Sequence, residues 1–314
     1  MRAAGPKPSG RPFYSLMQTL RRKISEDPFL GLLLVAPLLF WVIVTLVYPL
    51  LYASQLGFYN VRYVGAPARF IGLSNYSRIL GDPDFWKACL RSLIWTVCNV
   101  AFQVLGSLLV ALVLNQRFRG RTIIRNWIIL PWVLPTVVLA IMWTWILDPT
   151  HGVVNYLLKS GGLVASPLRF LSSPQWVMPT VIFINVWRWT PYFAIIVLAA
   201  LQTIPKELME AALVDGASVL RRFWHITLPT IRPVLSVVTL ISFLWSINIF
   251  DTIWLLTRGG PLDLTTTLPI YIYKKAFQDF RFSEAAAMSV IMFLFLLGFA
   301  VAYLRTLFRE GAEG

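Results

Sequence analysis

The chain has 314 residues, of which 57% are hydrophobic and only 13% are charged, and its mean hydropathy is +0.68. A soluble domain carries about 25% charged residues, so this composition excludes a soluble globular protein and indicates an integral membrane protein. The formal net charge of +14 first suggests a nucleic-acid-binding or anion-binding protein. The distribution of the charges along the chain decides between that interpretation and a membrane topology signal.

Six apolar segments are candidates for transmembrane helices, because a helix of about 20 residues crosses the hydrocarbon core of a bilayer. Several of them contain prolines, which a helix bundle in lipid accommodates when neighbouring groups satisfy the freed backbone atoms. The sequence therefore predicts an all-α integral membrane bundle of six transmembrane helices. The segments lie near 29–54, 91–115, 123–147, 177–202, 231–256 and 285–307.

Basic residues concentrate on one side of these six segments. The short loop between the second and third segments holds Arg117, Arg119, Arg121 and Arg125, and more basic residues precede the first segment and flank the loop between the fourth and fifth. Short basic loops stay in the cytoplasm, whereas long loops cross the membrane largely regardless of charge. We therefore predict that both termini are cytoplasmic, and we expect no binding of nucleic acid.

Three segments follow from this topology. Residues 1–28 form a basic cytoplasmic leader, for which an amphipathic helix on the membrane face and a disordered segment are equal alternatives. No convincing signal-peptide cleavage site follows the first apolar run, so we expect this run to remain as an anchor. No repeat or linker divides residues 29–308, which we assign to one transmembrane domain with a large loop at 203–230. Residues 309–314 form a cytoplasmic tail.

The loop at 203–230 carries the most distinctive pattern in the chain. A Glu-Ala-Ala triplet at 210–212 is followed by a glycine at 216 and, after nine intervening residues, by Ile-Thr-Leu-Pro at 226–229. Taken alone, such a segment is an ordinary amphipathic helix on the membrane surface. The complete spacing, in a loop of the expected sidedness, favours a more specific interpretation.

Local signals predict a bent pair of helices in this loop. Pro205 near the first helical position, with acidic residues in the first turn, predicts a helix that runs to about Val214. Gly216 predicts a break, because glycine adopts positive φ freely. A second short helix should then run to His225 and end before Pro229.

This pattern resembles the signature loop of permease subunits in binding-protein-dependent ABC importers. Further blocks agree in order and spacing, and they point to the carbohydrate-uptake branch typified by maltose, lactose and glycerol-phosphate permeases. These blocks lie at 70–76, 82–86, 130–135, 187–191, 201–205 and 259–261, the last together with 271–273 and 276–277. The resemblance implies a permease subunit that moves a sugar or sugar-like solute by alternating access across the cytoplasmic membrane of a bacterium or archaeon.

The resemblance also implies a set of partners. They are a second permease subunit, two ATPase subunits, an extracytoplasmic solute-binding protein and the lipid bilayer. The loop at 203–230 is expected to dock into a groove of the ATPase and to pass its motion to the fourth and fifth spans. The residues assigned to this coupling are Glu207, Glu210, Ala211, Ala212, Asp215, Gly216, Ala217, Ile226, Leu228 and Pro229.

Enzyme chemistry has no visible basis in the sequence. The chain lacks the Gly-x4-Gly-Lys-Ser/Thr loop that cradles nucleotide phosphates, so ATP and Mg²⁺ are expected on the partner ATPase. His151 and His225 are the only histidines, and neither has a carboxylate or cysteine at metal-ligand spacing. We expect this chain to bind no cofactor and to hold no catalytic or metal site.

Mid-span polar and aromatic side chains are the candidates for the solute pathway. A charge at the bilayer centre costs roughly 2.5–3.5 kcal/mol on insertion scales, so such residues avoid lipid. The alternative is that Arg188 and Asp251 satisfy each other at a helix contact, and that the tryptophans mainly pack or anchor the helices. The candidates are Asn185, Arg188, Tyr192, Trp245, Asn248 and Asp251.

Three other functions remain open at this point. Import of a charged solute such as glycerol 3-phosphate would explain Arg188 near the pathway. An autonomous channel or secondary transporter would need no ATPase docking loop. A membrane enzyme would need clustered acids, bases or metal ligands, which the sequence does not offer.

Overall fold

The computed structural model describes residues 28–61 and 68–312, so the leader assigned to 1–28 lies almost entirely outside the described residues. The described chain is almost all helical, with one pair of two-residue strands, β1 (Tyr59–Asn60) and β2 (Arg69–Phe70), which are antiparallel. The helices are α1 (Pro28–Val42), α2 (Tyr48–Leu56), α3 (Ser74–Leu80), α4 (Pro83–Asn115), α5 (Arg121–Ile128), α6 (Leu130–Val133), α7 (Thr136–Ile146), α8 (Val153–Ser160), α9 (Val177–Leu201), α10 (Lys206–Val214), α11 (Val219–Arg222), α12 (Leu228–Asn248), α13 (Asp251–Thr257), α14 (Leu268–Phe277) and α15 (Phe282–Ala312).

The chain divides into two compact units at Leu56 and Gly57. In the first unit, a π-helical turn at Ile43–Val47 joins α1 to α2, and the result is one apolar helix from Gly31 to Leu56. The Thr45 hydroxyl donates a hydrogen bond of 2.8 Å to the carbonyl of Trp41, one turn back. This bond satisfies a polar group on a helix whose side chains are otherwise almost all apolar.

Five helices of the described ranges are long and apolar enough to cross a membrane, and a bent pair makes six if its two parts form one span. The expected number is therefore reached only when the bent pair counts as a span. The five are Gly31–Leu56, Pro83–Asn115, Val177–Leu201, Val219–Asn248 and Phe282–Thr306, and the pair is Arg121–Val133 with Thr136–Ile146.

The bent pair corrects the prediction of a straight third span at 123–147. Its two parts meet at an angle of 97°. The break falls at Leu134, whose ψ of 132° is extended, immediately before Pro135. A residue before proline is driven out of the helical region by the proline ring, which explains why the helix stops there.

The second span begins earlier than predicted, at Pro83 instead of near 91. Asp82 caps this helix, since its carboxylate accepts a hydrogen bond of 3.0 Å from the backbone N–H of Asp84. Pro83 then occupies the first turn, where a missing N–H leaves no hydrogen bond unmade. The local capping chemistry, and not the apolar run, sets where this helix starts.

The predicted stop at Pro229 is wrong. A π-helical turn at Phe223–Thr227 joins α11 to α12, and the helix continues from Val219 to Asn248. The backbone N–H of Leu228 donates to the carbonyl of Phe223, five residues back, just before the proline. This wider turn shifts the hydrogen-bond register and places Pro229 in the first turn of α12, where its missing N–H is tolerated.

The core of the second unit is formed by α4, α9 and α12. Near the carboxyl ends of α4 and α9, Leu114 and Leu201 pack in one buried cluster with Ile231, which lies near the start of α12. At the opposite end, Trp95 of α4 and Val181 of α9 share another cluster. Helices α4 and α9 therefore run parallel and α12 runs against them, so the loops after α4 and α9 leave the bundle at the same end.

A ladder of buried polar side chains joins these three helices at mid-length. The Asn185 amide donates a bond of 2.6 Å to the Asn99 carbonyl oxygen, and the Ser242 hydroxyl donates one of 2.6 Å to the Gln103 carbonyl oxygen. The Trp95 ring N–H donates to the backbone carbonyl of Ser246 at 2.8 Å. Hydrogen bonds between membrane helices each contribute about 0.6–2 kcal/mol, so the ladder fixes the register of α4, α9 and α12.

Candidate coupling loop and solute pathway

The loop between α9 and α12 is an ordered helix–glycine–helix structure, as its sequence predicts. At the end of α10 the N–H of Ala217 donates to the carbonyl of Ala212 at 2.9 Å, and the N–H of Gly216 donates to that of Leu213 at 3.0 Å. This pair of bonds is the Schellman motif. Gly216 occupies its left-handed position with φ of +71°, a conformation that side chains with a Cβ rarely adopt.

The second helix of the loop starts with a local cap. The Ser218 hydroxyl accepts a bond of 3.3 Å from the backbone N–H of Arg221. From there α11 runs through the π-helical turn into α12 without interruption. Ile226, Leu228 and Pro229, which the sequence assigns to the coupling loop, therefore lie in the continuous helix at the base of the loop.

The surface of α10 is apolar as well as acidic. Leu208, Leu213 and Val214 are exposed, and the exposed fraction of Val214 reaches 88%. Among residues 28–61 and 68–312, no basic group lies within ion-pair distance of the exposed carboxylates on α10 or at its end. These carboxylates belong to Glu207, Glu210 and Asp215, whereas Ala212 and Ala217 are half-buried.

Four aromatic rings from three helices meet beside the middle of α9. We call this group, which consists of Trp132, Trp189, Tyr192 and Trp245, the aromatic cluster. Trp132 stacks on Tyr192 with ring centroids 5.0 Å apart, and Trp189 lies 5.0 Å from Trp245. Tyr192 and Trp245 are 5.6 Å apart. Trp245 is 40% exposed, so the cluster presents ring surface outside the chain's own core.

The sequence identified Tyr192 and Trp245 as solute candidates and missed Trp132 and Trp189. Trp189 precedes Tyr192 by three residues on one helix, a spacing that places two side chains on the same face. Trp132 comes from α6, before the bend of the third span. The bend that brings Trp132 to α9 could not be read from a segment treated as one straight helix.

Arg188 lies at the edge of the aromatic cluster and is largely buried, with a side chain that is 12% exposed. Its guanidinium lies 4.0 Å from the Asp251 carboxylate, 3.4 Å from the Thr252 hydroxyl, to which it donates, and 5.5 Å from the centre of the Trp189 ring. Arg188 and Asp251 thus form a loose ion pair, as expected if the two residues satisfy each other at a helix contact. A solute contact of either residue remains a prediction.

The other two candidates lie apart from this pair. Asn185 is completely buried and belongs to the polar ladder between α9 and α4. Asn248 is exposed, but its amide donates at 2.8 Å to the Leu244 carbonyl of its own helix. The predicted fifth span at 231–256 is also corrected, since α12 ends at Asn248 and the extended Ile249 separates it from α13, so Asn248 and Asp251 flank a break and do not lie at mid-helix.

Among the described residues, five or six membrane-length helices, an ordered helical loop and a partly open aromatic cluster indicate a multi-pass membrane protein. Residues 103–311 match the family described as the inner membrane component of binding-protein-dependent transport systems. The chain belongs to this family.

Relatives and solved structures agree with this assignment along most of the chain. The trehalose/maltose transport system permease protein of Thermococcus litoralis is 32% identical over 279 residues, which are 88% of this chain and 92% of the relative. The diacetylchitobiose uptake system permease protein of Streptomyces coelicolor is 31% identical over 88% of this chain and 86% of its own length. A bacterial ABC transporter crystallised with a periplasmic protein bound to an alginate pentasaccharide contains a chain with 27% identity and a TM-score of 0.76, covering 90% of this chain and 94% of its own.

Proposed function

We propose that this chain is the permease subunit of an ATP-driven importer that carries a sugar or oligosaccharide across the cytoplasmic membrane. Two of the relatives are named as permeases for sugars, one for trehalose and maltose and one for diacetylchitobiose. The solved relative transports alginate and was crystallised with a periplasmic protein. A second permease, two ATPase subunits that hold ATP and Mg²⁺, and an external solute-binding protein complete the importer.

The exposed surface of α10 is the observation that carries the coupling part of this proposal. Leu208, Leu213 and Val214 present apolar surface in a loop whose carboxylates have no basic partner among the described residues. A short helix with this surface suits a groove of a partner protein, where the leucine and valine side chains lose their exposure. Because the carboxylates of α10 would be repelled by an anionic membrane surface, binding to the ATPase is the role proposed for this loop.

The connections of α10 suit the transmission of motion in both directions along the chain. Only residues 202–205 separate it from α9, and the N–H of Gln202 still bonds to the carbonyl of Leu198 at 3.2 Å. On the other side, α11 continues into the 30-residue helix Val219–Asn248. A displacement of the loop would reach α9 and α12, which hold Trp189, Tyr192 and Trp245.

The aromatic cluster is the proposed contact for the sugar. Sugar rings stack on aromatic faces through their C–H groups, and Trp245 leaves part of its ring uncovered. The Arg188 charge gives no support to import of a small anionic solute such as glycerol 3-phosphate, because it already has Asp251 at 4.0 Å.

Gly216 provides the test of coupling. Valine at a left-handed position costs roughly 1–2 kcal/mol, which lowers the equilibrium ratio of the native bend to other conformations by about 5- to 30-fold. The control is Gly162→Val, because Gly162 also has a left-handed φ of +68° and open space around its missing Cβ. It lies between α8 and α9, at the opposite end of the bundle from α10.

Both variants would be co-expressed with the partner subunits, reconstituted and assayed for sugar-stimulated ATP hydrolysis and for sugar uptake. We expect Gly216→Val to lose both activities, or to lose co-purification with the ATPase, and Gly162→Val to keep them. Equal activity of the two variants would refute the coupling role of this loop. Sugar flux that needs neither ATP nor the partners would identify an autonomous carrier instead.

A further inference from the structure

Four arginines crowd the connection between α4 and α5. Arg117 and Arg119 lie in the loop, and Arg121 and Arg125 lie one turn apart on α5. They border a shallow, open cavity of about 780 Å³. The sequence has no acidic residue between positions 84 and 148, so the arginines have no acidic neighbour in their own stretch of the chain.

No ion pair among the described residues neutralises these four arginines. Within the described ranges, no carboxylate lies within ion-pair distance of any of the four guanidinium groups. Arg125 donates only to the backbone carbonyl of Leu114 at 3.1 Å, and its buried Nε has no partner. Arg121 reaches only the carbonyl of Gln116, at 3.5 Å. Most of the N–H groups of the cluster are therefore available to an anion.

Helix α5 has a second, apolar face. Ile123 and Trp127 lie on the side opposite Arg121 and Arg125, and Trp127 is 67% exposed. None of the residues of α5 is buried in the chain. A helix with a basic side and an exposed apolar side is typical of segments that lie in the membrane interface, with the apolar side chains among acyl chains and the arginines at headgroup level.

The position of α5 supports this placement. Ile128, at its end, packs with the buried cluster of Ala111, Leu114 and Ile231 at the end of the bundle from which α10 also emerges. The following bend of 97° turns the chain from α5 and α6 into the apolar helix α7. A change of direction of this size suits a segment that passes from the membrane surface into the hydrocarbon core.

We propose that the arginine loop 116–120 and α5 form a binding site for an anionic phospholipid of the phosphatidylglycerol class. The lipid phosphate would receive hydrogen bonds from Arg117, Arg119 and Arg121, and its acyl chains would cover Ile123 and Trp127. A free phosphate complements only the charges, and an acidic protein surface leaves the apolar face uncovered. The site is independent of the solute and of ATPase docking.

Native mass spectrometry of the full chain in non-ionic detergent tests the proposal, with dioleoylphosphatidylglycerol and dioleoylphosphatidylcholine as probes. A basic residue near an anionic lipid surface strengthens binding about fivefold, so Arg117→Gln with Arg119→Gln should weaken phosphatidylglycerol binding by about 30-fold. Binding of phosphatidylcholine should not change. Replacement of both arginines by lysine should restore most of the affinity, because the charge is kept.

The matched control is Lys159→Gln with Arg169→Gln, which removes the same charge at the opposite end of the bundle and should leave lipid binding at the wild-type level. Unchanged phosphatidylglycerol affinity in the Arg117 and Arg119 variant would overturn the proposal. Displacement of the lipid by millimolar inorganic phosphate would also overturn it, in favour of a free-phosphate site. Unchanged lipid binding with loss of ATPase co-purification would assign the arginines to a protein contact.

Discussion

Trp245 is the residue with which the proposed sugar path is tested most directly. Its ring contacts Trp189 and Tyr192 at 5.0 and 5.6 Å and still exposes part of its surface. Loss of one aromatic stacking partner costs about 0.5–1.5 kcal/mol, so Trp245→Ala should raise the KM for sugar uptake by about 2- to 10-fold. Trp145→Ala is the control, since Trp145 is 75% exposed and no ring of the described residues pairs with it. An equal KM in both variants would remove Trp245 from the path.

A double-mutant cycle tests whether Arg188 and Asp251 stabilise each other or whether Arg188 contacts the solute. Asp251→Ala leaves the largely buried Arg188 without its carboxylate, and breaking such a pair costs about 3–5 kcal/mol when both partners are buried. Because the Asp251 side chain is 54% exposed, we expect a smaller loss of about 1–2 kcal/mol in unfolding free energy. Arg188→Ala with Asp251→Ala should recover part of it.

The cycle is measured by thermal unfolding of the detergent-solubilised chain together with sugar uptake. Mutual stabilisation appears as a coupling between the two substitutions in unfolding temperature. Additive losses of stability, with a rise in KM for Arg188→Ala alone, would instead mean that Arg188 contacts the solute. The two outcomes separate a helix-contact role from a transport role for the same side chain.

At the level of elements, the segment between α13 and α14 is held by polar contacts of Asp263. Lys274 donates to its carboxylate at 2.6 Å, and Thr266 donates at 2.9 Å. The hydrogen bond from Lys274 holds the pKa of Asp263 below its usual range, and it outweighs the opposite effect of burial. A carboxylate with a lowered folded-state pKa stabilises the fold above its ordinary pKa, and this contribution is lost as the pH falls through the folded-state pKa.

The stabilisation contributed by the Asp263 carboxylate is therefore lost at and below about pH 4, near and under the ordinary pKa of aspartate. Asp263 is 62% exposed, so we expect a local effect of at most about fivefold in amide protection over residues 259–267. Hydrogen exchange at pH 6 and pH 3, normalised to the amides of α12, measures it. Asp263→Asn should abolish the pH dependence, and a variant that keeps it would exclude Asp263 as its source.

The comparison of sequence with structure also belongs at this level. The break at Gly216 was predictable because glycine is the residue that adopts positive φ most readily, so one residue type indicates the conformation. The continuation through Pro229 was not, because a proline in the first turn of a helix and a proline that ends one have the same local sequence. The bend at Leu134 could have been inferred from Pro135, but the apolar composition of 123–147 hid it.

The candidate site shows the same division. Periodicity and composition identified Tyr192 and Trp245, since large aromatics near mid-membrane are conspicuous in sequence. They could not show that the Asn185 amide is hydrogen-bonded to Asn99, because this pairing depends on the register of α9 against α4. Contacts within one helix follow from spacing, whereas contacts between helices depend on packing that the spacing does not determine.

At the level of the whole molecule, the second unit leaves its proposed solute surface open. Trp132 and Trp245 of the aromatic cluster are partly exposed at the side of the bundle and are not enclosed within it. Among the described residues, five or six helices are long and apolar enough to cross a membrane, and the polar ladder joins α4, α9 and α12. A sugar path along the cluster therefore needs a wall from another subunit.

The chain alone should accordingly transport nothing. We expect proteoliposomes with this chain only to show no uptake of radiolabelled di- or oligosaccharides above empty vesicles, and proteoliposomes with the second permease, the ATPase subunits and the binding protein to show uptake that stops without ATP. In the complete vesicles, replacement of the chain by its Trp245→Ala variant should reduce the uptake. Leakage around the protein would not depend on this side chain, so the variant links the flux to the aromatic cluster. Uptake by the chain alone would show that no wall from another subunit is needed.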